Sequence, residues 1–293
     1  MSGKVRILIA FLLNLCFSIA EFIGGMLIGS VAILSDAIHD CGDAISIGIS
    51  YFMEKISDKP ANDKYTYGYK RYSVLGGLIT TIILLCGSAF MIYSAINRLF
   101  NPTEINYSGM IILAAIGLVI NFVAGFITHK GHSINQKAVT LHLMEDMFGW
   151  AIVLMGAIIM KFTNWYWLDP LLSIVLAIFV IFHAVKILTK ISNMFLMKTP
   201  QNIHLDVVKA SIILIPGVND VHHLHVWTLD GETVFASMHI VAKYSAELKH
   251  IIKNTLEKRG IHHVTIEFEG KGEECKEIQC NIKHNSCGCG HYH

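Results

Sequence analysis

HDCGD, residues 39–43, and HLMED, residues 142–146, decide the fold of this chain. Each stretch holds a histidine and an aspartate four residues apart, inside or against a long apolar segment. Residues at this spacing lie on the same face of an α-helix, one turn above the other. Each stretch therefore directs an imidazole and a carboxylate towards the same point, which in a membrane helix marks an ion pathway or a binding site.

The composition indicates an integral membrane protein with a soluble remainder. Of the 293 residues, 53% are hydrophobic and 15% are charged, whereas a soluble domain carries about 25% charged residues. The formal net charge is +1, and the sequence has no basic stripe or nucleic-acid-binding motif, which argues against nucleic acid as a partner. We therefore expect the lipid bilayer to surround most of the chain.

Six segments approach the roughly 20 apolar residues that a bilayer requires of a helix. The fifth contains an uninterrupted apolar run, Met147–Met160, that is too short to cross alone, so its helix must begin near Ala138. That start draws HLMED into the membrane. The six predicted spans cover about residues 7–28, 31–53, 74–96, 108–128, 138–160 and 168–188.

Lysine and arginine are concentrated in the loops on one side of these spans. They occur before the first span, in the second-to-third and fourth-to-fifth connections, and after the sixth span, with little beyond Arg98 and Lys161 on the other side. Positive charge in short loops favours the cytosolic side. We therefore expect both termini in the cytosol and a location in the cell membrane, either plasma membrane or inner membrane.

The chain becomes polar after about Met197, and its pattern there predicts a small α+β domain. A helix, two strands joined by a turn around Asp230-Gly231, a second helix and a third strand follow in the order αββαβ, which suits two layers around one core. The tail after Gly270 is rich in Gly, Cys and His. The predicted division is a transmembrane domain of six helices at 1–197, a cytosolic domain at 198–269 and a flexible tail at 270–293.

The two His–Asp pairs together form a candidate metal site within the membrane. If their helices face each other, they offer two nitrogens and two oxygens, a tetrahedral set that suits Zn²⁺, whereas harder six-coordinate ions prefer more oxygens. A single pair would equally fit a hydrogen-bonded buried histidine. Two pairs favour a metal site, because an unpaired charge buried in the membrane is costly. The four predicted ligands are His39, Asp43, His142 and Asp146.

The chemistry of these ligands predicts coupling between metal and protons. Zinc binds neutral imidazole and ionised carboxylate, so loading the site releases protons and protonating the site ejects the metal. In a helix bundle that opens alternately to either side of the membrane, this exchange would carry Zn²⁺ out of the cytosol while protons move in.

These residues, in these positions, resemble the cation diffusion facilitator family of zinc transporters over nearly the whole chain. The resemblance implies six spans, a homodimer, a cytosolic domain of metallochaperone-like shape and transport of Zn²⁺ out of the cytosol. A histidine at position 39 resembles the zinc-selective branch of that family. The stretches that carry the resemblance are GSVAILSDAIHDCGD at 29–43, YGYKR at 67–71, HLMED at 142–146, DPLLS at 169–173 and PGVNDVHHLHVW at 216–227.

The resemblance also implies a regulatory zinc site in the cytosolic domain, at the dimer interface. Two glutamates stand where other members of the family have a histidine and an aspartate, which alters the ligand set. These residues would equally fit ordinary strand positions. Strand alternation predicts that His223 and His225 lie on the face opposite His222. The predicted ligands are His222, His239, His250, Glu267 and Glu269.

The connection between spans two and three departs from the pattern of the family. Many members have a second metal site between spans two and three, but Asn62, Tyr65 and Tyr69 occupy its positions here and are poor zinc ligands. We therefore expect that site to be missing.

The tail carries thiols and imidazoles, which favour zinc or copper(I). It is either a flexible metal-capture segment or has no part in transport. Its candidate ligands are Cys287, Cys289 and His291.

Two other classes of protein compete with a transporter. A membrane metalloenzyme is disfavoured, because the sequence contains no H-E-x-x-H and no evident general base beside an open metal position. A membrane zinc sensor or scaffold that does not transport would use the same ligands and stays open. The sequence does not separate Zn²⁺ from Cd²⁺ or Co²⁺, since all three accept tetrahedral nitrogen and oxygen ligands.

Overall fold

A computed structural model describes residues 3–28, 31–100, 107–129, 133–163, 165, 167–270 and 272. The chain forms two compact units, Met1–Ser192 and Asn193–His293, here called the first and second unit. Long helices make up the first unit. They are α1 (Gly3–Ile28), α2 (Val31–Ser57), α3 (Arg71–Phe100), α4 (Tyr107–His129), α5 (Ile134–Thr163) and α6 (Leu168–Phe195), the last of which ends just beyond the boundary.

Five of these helices are long and apolar enough to cross a membrane, as judged over the described residues. The exception is α2, which has 27 residues but carries acidic groups along its length. The helix α5 begins at Ile134 and so contains the whole of HLMED. The predicted fold class, a membrane helical bundle followed by a small α+β domain, is confirmed. The charged residues of α2 are Asp36, Asp40, Asp43, Glu54 and Lys55.

Small residues allow the helices of the first unit to approach closely. A Cβ atom on Gly117 of α4 would lie 2.7 Å from the indole of Trp150 on α5. A Cβ atom on Gly77 of α3 would lie 3.3 Å from the Cα atom of Asn135 on α5. Close approach through small residues is how helices pack where lipid removes the hydrophobic drive for association. These contacts hold α5 against both α3 and α4.

Glu54, near the C-terminal end of α2, is a buried polar junction between three helices. Its carboxylate accepts hydrogen bonds from Ser73 Oγ at 2.7 Å, Asn135 Nδ2 at 3.1 Å and Gln136 Nε2 at 3.3 Å. Ser73 lies in the first turn of α3, and the two amides lie in the first turn of α5. The carboxylate thus faces the positive ends of two helix dipoles, which offsets the cost of burying its charge.

The second unit is an αββαβ domain with its helices on one face of a three-stranded sheet. The sheet order is β1-β2-β3, with β1 antiparallel to β2 and β2 parallel to β3. The parallel pair is joined by a helical crossover, as parallel strands require. The elements are α7 (Leu205–Ile213), β1 (Asp220–Thr228), β2 (Val234–Val241), α8 (Ala246–Glu257) and β3 (His263–Glu269).

Alternate residues of the strands divide the sheet of the second unit into two chemically distinct faces. One face packs Met238, Ile240 and Ile266 against Ile212 of α7 and Ile252 of α8 to form the hydrophobic core. The other face carries histidines and glutamates. The domain therefore has one covered face and one polar face, as antiparallel and mixed sheets often do.

Local sequence signals fix the connections of this domain. Asp230 Oδ1 accepts hydrogen bonds from the backbone N–H groups of Glu232 and Thr233, and Gly231 takes the left-handed conformation at φ 87°, so the β1–β2 turn forms where predicted. Ser245 caps the N-terminus of α8 by accepting a hydrogen bond from the backbone N–H of Leu248 at 3.0 Å.

A β-bulge in β1 overturns one prediction about the histidines. His222 pairs with His239 and His225 pairs with Ser237, so two residues of β1 oppose one residue of β2 between them. Alternation is interrupted at His223, which takes the left-handed conformation at φ 49°. His225 therefore lies on the same face as His222, not on the opposite one, because a bulge shifts the register of side chains by one residue.

The Glu54 junction generates a stability prediction. Replacing Glu54 by Ala removes the acceptor of Ser73 and Gln136 and one of the two acceptors of Asn135, which should lower the free energy of unfolding by about 1–3 kcal/mol. The expected result is a lower midpoint of thermal unfolding for the detergent-solubilised protein. The control is Asp58→Ala, which breaks an exposed ion pair with Lys4 (2.9 Å) and should change the midpoint little. Equal midpoints for the two variants would contradict the prediction.

Candidate metal centres

A group of two carboxylates and one imidazole lies between α2 and α5, with Asp43 and His142 buried and Asp146 half-buried. One ligand atom each from Asp43, His142 and Asp146 lies within 4.8 Å of the others. His142 Nε2 is 3.3 Å from Asp43 Oδ1, and the two side chains are 2% and 8% exposed. Ligand atoms about 2 Å from a tetrahedral zinc ion lie about 3.3 Å apart. This spacing fits an ion held between α2 and α5.

The helices explain why these three residues meet. His142 and Asp146 are one turn apart on α5, and Asp43 comes from the neighbouring α2. His39 lies one turn before Asp43 in α2, but its side chain lies outside the described ones. The structure thus brings together three of the four predicted ligands and gives the fourth a helical backbone at the predicted spacing.

The surroundings of this group leave its polar atoms available to a ligand. His142 Nδ1 is buried without a hydrogen-bond partner within the described part of the chain, whereas Nε2 faces Asp43 Oδ1 at 3.3 Å. Three residues after Asp43 in α2, the buried hydroxyl of Ser46 is also without a partner among the described residues. Buried polar groups are normally satisfied, so these atoms point to an ion or water that completes the site.

Glu145 belongs to the edge of the site and not to its ligand group. It accepts a hydrogen bond from Ser88 Oγ of α3 at 3.1 Å, whereas the ligand group of the described residues contains only the three side chains named above. Its carboxylate adds negative charge near His142 and connects the site to α3. An outer residue of this kind can orient a ligand without touching the metal.

The loop between α2 and α3 is held by aromatic contacts. The rings of Tyr65 and Tyr69 lie 4.4 Å apart, and Asn62 Nδ2 donates to the Tyr69 hydroxyl at 2.8 Å. Among the described residues, no group of potential metal ligands occurs in this loop. These three side chains therefore pack against one another.

A second ligand group lies on the polar face of the sheet in the second unit. His222, His239 and Glu269 each offer a ligand atom within 4.8 Å of the others. The Glu269 carboxylate lies 2.5 Å from His239 Nδ1 and 3.0 Å from His222 Nε2. His239 Nε2 also lies 3.3 Å from Glu267 Oε2, a carboxylate that is 49% exposed. One carboxylate therefore bridges two imidazoles, and a second stands at the edge.

The other predicted ligands behave differently. His250 lies on α8, on the far side of the sheet, where its Nε2 is 3.0 Å from Asn254 Nδ2; it does not join the group within one chain. Cys287, Cys289 and His291 lie outside the described residues. Strand alternation predicts that His223 lies on the face opposite His222, but the centroid of its ring is 4.8 Å from that of His239. Only a signal for the bulge would have identified it, and none is evident in the sequence.

A membrane bundle with a buried His–Asp–Asp group, joined to a small α+β domain, defines a class of metal-handling membrane proteins. Residues 7–196 match the family model for the cation efflux transmembrane domain, and residues 200–271 match that for the cytoplasmic domain of cation efflux proteins. The chain belongs to this family of membrane transporters, also called cation diffusion facilitators. It is a metal cation efflux transporter, and the family is not one of enzymes.

Similar proteins cover almost the whole chain. A "Cadmium, cobalt and zinc/H(+)-K(+) antiporter" of Bacillus subtilis is 33% identical, with 100% of this chain and 97% of the relative aligned. "Zinc transporter ZitB" of Pectobacterium atrosepticum is 31% identical over 94% of this chain and 88% of the relative. "Proton-coupled zinc antiporter SLC30A8" of Xenopus laevis is 32% identical over 94% of this chain and 81% of the relative.

The buried group generates a binding prediction. Asp43→Asn and Asp146→Asn keep the size of the side chain but remove a charged ligand, so each should reduce the zinc bound by about one ion per chain at micromolar Zn²⁺. Equilibrium dialysis of the solubilised protein measures this number. Asp58→Asn, at an exposed aspartate just after the end of α2, is the matched control. Unchanged binding by both buried variants would exclude the site.

Proposed function

We propose that this transporter exports Zn²⁺ from the cytosol in exchange for protons, and that Cd²⁺ and Co²⁺ are further substrates. The buried group of Asp43, His142 and Asp146 is the observation that carries the proposal. Completed by His39 from the preceding turn of α2, it offers two nitrogens and two oxygens, a set that suits all three ions. The names of the similar proteins support the same metals.

Proton exchange follows from placing a buried and a half-buried carboxylate beside one another. Without a metal and in its ionised form, the site would hold two negative charges around one neutral imidazole, away from water. Such a state is costly because the surroundings cannot solvate it. Either a divalent cation or protons must neutralise it, so release of the metal on one side favours uptake of protons there.

The orientation of the transporter completes the proposal. Positive charge in the short loops supports cytosolic termini, with residues 1–197 as the transmembrane domain, 198–269 as the cytosolic domain and 270–293 as a tail for metal capture. We expect two copies to associate through a symmetric interface. Zinc bound at His222, His239 and Glu269 would then regulate transport, with Glu267 at the edge. His250 could contribute only from the partner copy.

Flux into liposomes tests the transport function. Purified protein is reconstituted, a proton gradient is imposed, and Zn²⁺ movement is followed with an enclosed fluorescent indicator. We expect gradient-dependent flux in the wild type and loss of at least 90% of it in Asp43→Ala and His142→Ala, because each removes a ligand of the buried site. Asp58→Ala should retain flux. Binding of zinc without any flux in the wild type would instead favour the sensor function.

Proton release tests the exchange directly. When Zn²⁺ binds, the wild type should release protons into a weakly buffered solution, because the metal replaces protons on the imidazole and carboxylates. A pH-sensitive dye measures the number released per zinc bound. Asp43→Asn should release fewer protons, whereas Asp58→Asn should match the wild type. Zinc binding that releases the same number of protons in all three proteins would contradict coupling at this site.

A further inference from the structure

His223 occupies an unusual backbone position beside the second ligand group. Its φ of 49° lies in the left-handed region, which is unfavourable for a residue with a side chain. Histidine tolerates this region better than most residues. Strained positions of this kind cluster at functional sites, and bulges are used to redirect a side chain.

The bulge turns the His223 ring towards the ligand group. The ring is stacked on that of His239, with centroids 4.8 Å apart and planes at 20°. Its centroid is also 5.5 Å from that of His222, and the His222 and His239 centroids are 5.5 Å apart. The three imidazoles therefore form a nearly equilateral triangle on the polar face of the sheet.

The size of the triangle matches a metal site. Imidazole nitrogens bind zinc at about 2.0–2.1 Å, so in a tetrahedral site the centroids of two bound rings lie about 5 Å apart. All three observed separations are close to this value. In the stacked arrangement, with planes at 20°, the rings of His223 and His239 do not both point at one ion, so binding requires the His223 ring to rotate out of the stack. The Glu269 carboxylate, already 3.0 Å from His222 Nε2, would supply a fourth ligand.

We propose that His223 is a direct ligand of the regulatory metal, so that one chain alone supplies three imidazoles and one carboxylate. This inference rests on the proposed regulatory site and extends its ligand set. His250 is then not required for a four-coordinate ion. The bulge in β1 is explained as well, because a regular strand would direct residue 223 into the hydrophobic core.

Cobalt titration of the full-length solubilised protein tests this ligand. Co²⁺ gives visible absorption whose intensity reports four-coordinate geometry. The main variant is His223→Asn, because Asn tolerates the left-handed conformation but lacks an imidazole. The matched control is His225→Asn, on the same strand and face. A third variant, His239→Asn, identifies which part of the titration belongs to the second unit.

We expect His223→Asn to lower the Co²⁺ affinity of the site in the second unit at least tenfold, since even the loss of a residue that orients a ligand costs 10–100-fold in affinity. The variant should also reduce the visible absorption. His225→Asn should match the wild type. His223→Asp, which tolerates the same backbone and can bind metal, should recover part of the affinity. The midpoint of thermal unfolding without metal verifies that the variants are folded.

One kind of result would contradict the role of His223 alone, and another would contradict the regulatory site as a whole. If His223→Asn binds Co²⁺ like the wild type, or loses affinity while its four-coordinate spectrum is unchanged, His223 is at most a stacking partner of His239. In that case the regulatory site itself stands, provided that His239→Asn removes the signal. If His239→Asn leaves the titration unchanged, the proposed regulatory site fails, and the role of His223 fails with it.

Discussion

The cost of burying charge between apolar helices constrains the first unit more than any other interaction. Asp43 and His142 meet at 3.3 Å between α2 and α5, where water cannot solvate them. Such a contact is tolerated only if the two helices stay in register and a ligand or protons complete the charge balance. The Glu54 junction helps to keep that register, because its carboxylate links the end of α2 to the first turns of α3 and α5.

The sequence predicted the parts of the bundle that depend on local pattern. Long apolar runs specify helices, and the His–Asp spacing specifies that His142 and Asp146 share a face of α5. The pattern could not specify how α2 and α5 approach each other, which depends on close packing at particular small residues such as Gly77. Nor could it reveal that Glu54 is held by neutral donors from two other helices, since those donors lie far away in the chain.

The second unit marks a different limit of prediction from sequence. Its αββαβ order and its turn at Asp230 follow from local signals, and both are present. The face on which each histidine lies does not follow from local signals, because one extra residue in β1 shifts every later side chain of that strand to the other face. Strand alternation therefore predicts the wrong face for His225 and does not place His223 beside His239. The same shift is what brings three imidazoles together.

The two ligand groups use the same chemistry in different surroundings, and the difference suits two different tasks. Asp43 and His142 are nearly inaccessible, so any change in their charge must be balanced within the site, which in the proposed function ties metal release to proton uptake. On the polar sheet face, His239 is 21% exposed and Glu267 is 49% exposed. Water can stabilise that group without metal, so its occupancy can follow the free metal concentration without coupling to a gradient. Burial, rather than ligand type, thus separates the proposed site of exchange from the proposed site of regulation.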